Sequence, residues 1–375
     1  MKILVFGLSS IHGGVESVIL SFCRQALEKH VCEFDFVVID EIPRFAQFLS
    51  DEYTCNFIIV PNRLRHPFGY RQGLKSAIMN GSYDLVWFNA CTLSDIELLK
   101  IANDFNVRCV LHSHNSENMG NFMNKILHLV HKAKIDNYVD VYCACSSEAA
   151  FFMFPQFIYS DRNKWQFVRN GIPTQDFCFD PEKRNNIRKK YDFRDCILVG
   201  HVGRMHPQKN HIFILSIFEE FHNKYPYSKL LFFGEGSLEE ELRTIVRQRN
   251  LDSAVFFMGV QENINDWLSA LDAFLFPSLY EGLPVSLLEA QASGLPCLIS
   301  DVISSAVICT SYVVRESLSS SALVWCHALE KLLKNQNQES RVEAWRQVES
   351  AGFDVEKESV NFFESLKKIN NNHKM

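Results

Sequence analysis

Cys196-Ile197-Leu198-Val199-Gly200-His201-Val202 is the stretch that decides the fold, because past the middle of a 375-residue chain it repeats the opening already met at Lys2-Ile3-Leu4-Val5-Phe6. Each run is short and apolar, passes into a glycine-bearing loop, and is followed by residues at helical spacing: Val18, Ile19, Phe22 and Leu27 after the first, Ile212 to His222 after the second. Further short runs follow the first at Phe34 to Ile39, Phe57 to Val60, Leu85 to Phe88, Val107 to Leu111 and Val141 to Cys145. The second is followed by Lys229 to Phe233, Ala254 to Met258, Ala273 to Phe276 and Pro296 to Ser300. Strands of this kind alternating with helices are buried on both faces, so each series predicts a parallel sheet, and the restart predicts two α/β domains. Val168 to Pro173 and the charged segment Asp180 to Lys190 read as a hinge region between them.

The composition, 47% hydrophobic and 22% charged, is that of a globular protein with two substantial cores. A formal net charge of -6 gives no broad positive face, which excludes a general nucleic-acid binder. The 12 cysteines are scattered without a CxxC pair, so buried reduced thiols are expected rather than a disulfide framework or a zinc site. MKILVFGLSS reads as a first strand, not a signal peptide, and no apolar run approaches the ~20 residues of a spanning helix. A cytoplasmic protein is expected.

Ligands in open α/β sheets sit beyond the carboxyl ends of strands, so the loops there carry the candidate chemistry. Gly13 and Gly14 follow the first strand, where backbone amides and a helix N-terminus can approach an anion; the spacing is not GxGxxG, so no dinucleotide fingerprint is present. Arg204 and Lys209 follow Val202-Gly203, and two cations at one strand end suit a diphosphate. Gly234-Glu235-Gly236 ends another strand, with Ser237 expected to cap the next helix. In Phe276 to Pro296 a loop to Leu283 is followed by a helix from Pro284 to about Ser293, stopped by Gly294 and Pro296. Glu281 then lies at the positive helix end and Glu289 within the helix, two hydroxyl acceptors at different depths that could grip two sugars of one nucleotide-sugar. His112 and His114 end a strand of the first half. GxSxG, HExxH, a Walker loop and Asp-x-Asp do not occur, and without Asp-x-Asp a diphosphate would be neutralised by cations and helix ends rather than by a metal.

With Gly13-Gly14-Val15-Glu16, His112 to Asn115, Ala144-Cys145-Ser146, Asn170-Gly171-Ile172, Gly203-Arg204, Gln208-Lys209-Asn210, Gly234-Glu235-Gly236, Glu281 to Pro284, Glu289-Ala290 and Gly294-Leu295-Pro296 in this order, the sequence resembles the retaining glycosyltransferases of family 4, of the polysaccharide-biosynthesis type. The resemblance implies the GT-B fold: two facing Rossmann-like domains with parallel sheets and a cleft between them. It implies an acceptor-side domain of residues 1-172, joined by the tail 353-375, and a donor domain of residues 173-352. By the same resemblance Arg204 and Lys209 bind the donor diphosphate and support it as it leaves, with the Gly13-Gly14 and Gly234 loops around it. Glu289 holds the ribose hydroxyls, while Glu281, Gly282, Leu283 and Pro284 contact the transferred sugar. Val260 lies beside the base. His114 stands near sugar and acceptor, with His112 the alternative assignment. No metal and no cofactor are implied.

The expected reaction moves a hexose or N-acetylhexosamine with retention from a nucleotide-sugar, a UDP-sugar foremost, to a sugar acceptor such as a lipid-linked oligosaccharide of capsule, exopolysaccharide or O-antigen assembly. Met119 to Lys134 sets Phe122, Met123, Ile126, Leu127 and Val130 among Lys125, His128, His131, Lys132 and Lys134, and such a basic amphipathic segment can rest on an anionic membrane at the inner face of the plasma membrane. An ordinary helix packed on its sheet fits the same pattern. Two other functions share the fold: a sugar-nucleotide epimerase and an inactive sugar-nucleotide-binding partner protein.

Overall fold

The computed structural model describes every residue except His12, residues 116–121, Gly282, residues 335–340 and residues 372–375, together with the backbone but not the side chain of Asn371. Two compact units result: Met1–Gly171 with Val355–Met375, and Ile172–Asp354.

The first unit is built on seven parallel strands: β1 (Lys2–Phe6), β2 (Glu33–Ile39), β3 (Asn56–Val60), β4 (Leu85–Ala90), β5 (Arg108–Ser113), β6 (Val141–Ala144) and β7 (Trp165–Phe167), in the spatial order β3-β2-β1-β4-β5-β6-β7. Its strands are apolar on both faces because both are covered. The helices Pro67–Gly81, Glu97–Asp104 and Ser147–Met153 bury Leu74, Leu98 and Ala150 on one face. On the other face the helix Gly14–Glu28 is joined by the C-terminal helix Val355–Asn371. There Phe362 meets Phe22 edge-on at 5.9 Å between ring centroids, and Phe363 meets Phe34 at 5.1 Å.

The second unit has six parallel strands: β8 (Ile197–Val202), β9 (Ser228–Phe233), β10 (Val255–Gly259), β11 (Ala273–Phe276), β12 (Cys297–Ser300) and β13 (Val313–Glu316), ordered β10-β9-β8-β11-β12-β13. The helices Ile264–Ala270 and Val285–Ala292 cover one face and His211–Lys224, Glu239–Gln248 and Ala322–Lys334 the other. Strand order reverses between β1 and β4 in the first sheet and between β8 and β11 in the second. At such a reversal the loops leaving two neighbouring strands turn to opposite faces and open a crevice at their carboxyl ends.

Three local expectations are corrected. Asp180 to Lys190 is no hinge: Pro181–Lys190 is a helix capped by the Asp180 carboxylate, and it buries Arg184 and Arg188 in the second unit, where they reach the two carboxylate oxygens of Asp272 at 2.5 Å each. The charge run that suggests a solvated linker is neutralised from inside. Ser237 does not cap the following helix, which begins at Glu239 with Leu238 as its flanking residue. The helix after the Glu281 loop runs Val285–Ala292, with Pro284 just outside it. All 12 cysteines are free thiols, and burial pushes the Cys32 thiol up to about 11 and Cys145 to about 12. Among the described residues no helix is long and apolar enough to cross a membrane.

Candidate active site

The predicted site residues lie at or beyond the carboxyl ends of strands in both units: Gly13 and Gly14 follow β1 and Arg204, Lys209 and Glu281 follow β8 and β11, at the strand-order reversals, whereas His114, Gly234 and Val260 follow β5, β9 and β10. In the second unit the loop after β8 and the loop after β11 are stitched together over the crevice. Leu279 N–H donates to the Gln208 carbonyl at 2.8 Å, the Gln208 side chain donates to the Tyr280 carbonyl at 2.9 Å, and the Asn210 side chain to the Pro277 carbonyl at 3.2 Å. Asn210 takes the left-handed conformation with φ 58°, which asparagine tolerates better than most residues, and so lets the short 3-10 turn Pro207–Lys209 end and the next helix begin. This stitching carries Lys209 to Glu281, Nζ to Oε1 2.6 Å, with both side chains largely buried at 15% and 7% exposure. The ammonium also lies 4.8 Å from the centroid of the Phe276 ring. Among the described residues one of its three N–H bonds is thus paired and two are not.

Arg204 is exposed on the same loop. Its backbone is gripped from the β9 side: a Cβ on Gly234, whose φ is +127°, would stand 2.4 Å from the Gly203 carbonyl oxygen, and one on Gly236 would stand 2.4 Å from that of Met205. Glycine at 234 and 236 is therefore required by close backbone approach. Val260 is 70% exposed beyond the end of β10. Pro284 is buried and Leu283 half-buried; Gly282 lies outside the described residues.

Glu289 keeps part of its surface open, yet protein surrounds it closely enough that desolvation pushes its carboxyl up to about 7. Among the described residues no side-chain or backbone donor reaches that carboxyl. A half-buried acceptor without a donor is the counterpart of a ligand hydroxyl. Among the described residues no group of three or more His, Cys, Asp or Glu side chains is placed to hold a metal ion.

In the first unit, Gly13 flanks and Gly14 begins the helix Gly14–Glu28, whose first amides point out of the reversal crevice. A Cβ on Gly14 would meet none of the described residues within 4 Å, so the chain is exposed at the start of the helix. Glu16 turns back to accept from the Ser9 hydroxyl at 2.7 Å, tying the loop to the helix. His114 follows β5 and its Nε2 meets Asn89 Oδ1 at 2.8 Å, while burial pushes its imidazole down to about 3. His112 lies wholly inside, stacked on Trp87 at 6.0 Å and 4.1 Å from the His114 ring. Sequence reasoning gave no role to Asn89, Gln208 or Phe276. A polar residue ending the all-buried strand Leu85–Ala90 was the signal available for Asn89.

The family described as "Glycosyl transferases group 1" matches residues 197–335. EpsF of Bacillus subtilis, a protein named as a glycosyltransferase, is 31% identical over 324 residues, 84% of either chain. The chain belongs to the group 1 glycosyltransferases. An Escherichia coli enzyme named UDP-Gal:α-D-GlcNAc-diphosphoundecaprenol α-1,3-galactosyltransferase is 31% identical to this glycosyltransferase over 149 residues, 39% of this chain and 38% of its own. The crystal structure of Anabaena HepE in complex with UDP superimposes with a TM-score of 0.79 over 98% of this chain and 100% of its own at 16% identity, which establishes the GT-B fold. In the second unit of this glycosyltransferase the segments after β8 and β11 carry two cations and two carboxylates, complementary to phosphate and to hydroxyl groups.

Proposed function

We propose that this glycosyltransferase transfers a hexose or N-acetylhexosamine, with retention, from a UDP-sugar to a sugar on a lipid-linked oligosaccharide in surface-polysaccharide assembly. The observation that carries the donor half is the set Lys209, Glu281 and Glu289: an ammonium paired with one carboxylate, and a second carboxylate without a donor among the described residues. Glu289 accepts the two ribose hydroxyls, Glu281 accepts hydroxyls of the transferred sugar, and Arg204 with the two remaining N–H bonds of Lys209 binds the diphosphate. As the glycosidic C–O bond breaks, negative charge collects on the leaving diphosphate. Fixed donors already aimed at it stabilise the transition state more than the ground state. Val260 offers an apolar surface beside the base, and the amides at Gly13 and Gly14 offer a further anion contact. His114, neutral and half-buried, is the first-unit residue we assign to the reacting sugars. UDP in HepE and the UDP-Gal donor named for the Escherichia coli relative support uridine as the base.

For the acceptor, a cavity of 440 Å³ lies beyond the ends of β1 and β2, with Ser9, Ser10, Asp40, Glu41 and Asn62 among its lining residues, a polar wall suited to sugar hydroxyls. The helix Phe122–Lys132 buries only His128, which takes the Leu93 amide at 3.1 Å. Its Phe122, Met123, Leu129 and Val130 are 78%, 59%, 67% and 48% exposed, with Lys125 and Lys134 beside them. An outward apolar face edged by lysines favours the membrane-resting reading over that of a helix packed on its sheet; residues 119–121 of that segment lie outside the described residues.

Calorimetric titration with UDP, GDP and ADP, on the wild type and on Glu289→Ala and Arg204→Ala, tests the donor half: UDP is expected to bind selectively and both variants to bind it more weakly. No nucleotide binding by the folded protein would remove this reading. Turnover of a UDP-sugar without an acceptor would point to epimerisation, and an inverted product anomer would refute retention. Sedimentation with phosphatidylglycerol vesicles tests the membrane half, with binding expected at low salt and lost as ionic strength rises.

A further inference from the structure

Asn89 is 4% exposed at the end of β4, and its hydrogen bonds fix both its own amide and the ring beside it. Its Nδ2 donates to the carbonyls of Phe6 at 3.3 Å and Trp87 at 3.4 Å, which turns Oδ1 toward His114 Nε2. The reversed amide would set an oxygen against two carbonyl oxygens. Oδ1 can only accept, so His114 must carry its proton on Nε2 and present Nδ1 as a bare lone pair. Nδ1 is buried and, among the described residues, has no partner. The backbone N–H of His114 donates to the Ala90 carbonyl at 3.2 Å, which fixes its main chain against β4, and the His112 ring packs 4.1 Å from its ring. Asn89 is held in turn by the loop after β1, since a Cβ on Gly7, at φ +129°, would come within 2.6 Å of the Asn89 carbonyl oxygen.

We propose that Asn89 is a positioning residue that locks His114 in the Nε2–H tautomer, so that Nδ1 accepts a hydrogen bond from one free hydroxyl of the reacting sugars and selects for that hydroxyl. This rests on the placement of His114 at the sugar. Burial, by keeping the imidazole neutral throughout the physiological range, leaves the lone pair unprotonated. A sugar carrying a hydrogen, a fluorine or a methoxy group in place of that hydroxyl leaves the buried nitrogen unpaired, and sites built to hydrogen-bond a hydroxyl discriminate strongly against such analogues.

The test is ¹⁵N NMR of histidine-labelled protein, run beside turnover measurements on Asn89→Leu, Asn89→Asp and His114→Ala. In the wild type His114 should show a pyrrole-like Nε2 and a pyridine-like Nδ1. Asn89→Leu should mix the tautomers and lower kcat by about 100-fold, the scale of a misplaced contact group. Asn89→Asp, whose carboxylate also accepts from Nε2–H but sets its second oxygen against the Phe6 and Trp87 carbonyls, should keep the Nε2–H tautomer at a loss of stability, and an Nδ1–H tautomer in it would overturn the lock. An Nδ1–H tautomer in the wild type, or a His114 spectrum unmoved in Asn89→Leu while His114→Ala is inactive, would overturn the positioning role and leave the placement of His114 standing. Full activity in His114→Ala would overturn both. The Asp variant keeps the test decisive should the Leu variant fail to fold.

Discussion

At the scale of one residue, Glu289 states most about ligand chemistry, because its carboxyl is desolvated without compensation. An acid whose folded-state pKa lies above its ordinary 4.5 binds more protons folded than unfolded between the two values, so it lowers stability as pH rises from 4.5 to about 7 and contributes nothing below. Glu289→Gln should therefore be more stable than the wild type at pH 8, by about 1 to 2 kcal/mol after allowing for partial exposure, and equal to it at pH 4, as thermal melts at both values would show. The same carboxylate must be ionised to accept two hydroxyls. UDP affinity should accordingly rise up to tenfold between pH 6 and 8 in the wild type and stay flat in Glu289→Gln, measurable by titration calorimetry. Glu289 was singled out in the sequence by its place in the helix after the Glu281 loop and by the family resemblance. Asn89 was not, since its task depends on β5 lying beside β4 and on which way an amide faces.

At the scale of elements, the site is a product of strand order. Lys209 and Glu281 stand 72 residues apart and meet because β8 and β11 are neighbours, a pairing the sequence does not print. That pairing also changes what a mutation means. Lys209→Met leaves a carboxylate of 7% side-chain exposure without its cation, which should cost about 3 kcal/mol of stability besides activity. The double variant Lys209→Met, Glu281→Gln should regain most of that stability while kcat stays about 100-fold down, because the donors to the leaving diphosphate are still missing. Recovery of kcat in the double variant would refute the charge role of Lys209. The strands overlooked in the sequence, β7 and β13, are the last in their sheets. Edge strands are short and half-exposed, so Trp165–Phe167 and Val313–Glu316 lack the apolar run that announces a central strand.

At the scale of the molecule, each unit has an anchor far along the chain. In the second, Arg184 and Arg188 close on Asp272, and Arg341, 1% exposed, donates to the Ser293, Leu271 and Leu268 carbonyls nearby. Asp272→Asn removes the carboxylate shared by Arg184 and Arg188 and should destabilise that unit by about 3 to 5 kcal/mol in urea melts. In the first unit, the helix Val355–Asn371 supplies Phe362, Phe363 and Leu366 to the aromatic layer over Trp87. Ending the chain after Asp354 should lower the melting transition of that unit sharply, at about 1.5 to 3 kcal/mol for each large side chain lost, and leave the other transition in place. Differential scanning calorimetry would separate the two.

The chain enters the second unit at Ile172 and leaves it at Asp354, and these two points lie side by side, with Ile172 N–H donating to the Phe353 carbonyl at 2.9 Å and the Thr174 hydroxyl to Asp354 at 2.6 Å. A ribosome therefore finishes a contiguous domain while the domain it began first still lacks part of its lining. Until residues 355–371 emerge, Phe22, Phe34 and Trp87 have no aromatic cover on one side, and the nascent protein carries an open hydrophobic surface for as long as translation of the intervening segment takes. Translation pauses placed before residue 355 would lengthen that exposure, and chaperone capture on the ribosome should be greatest there.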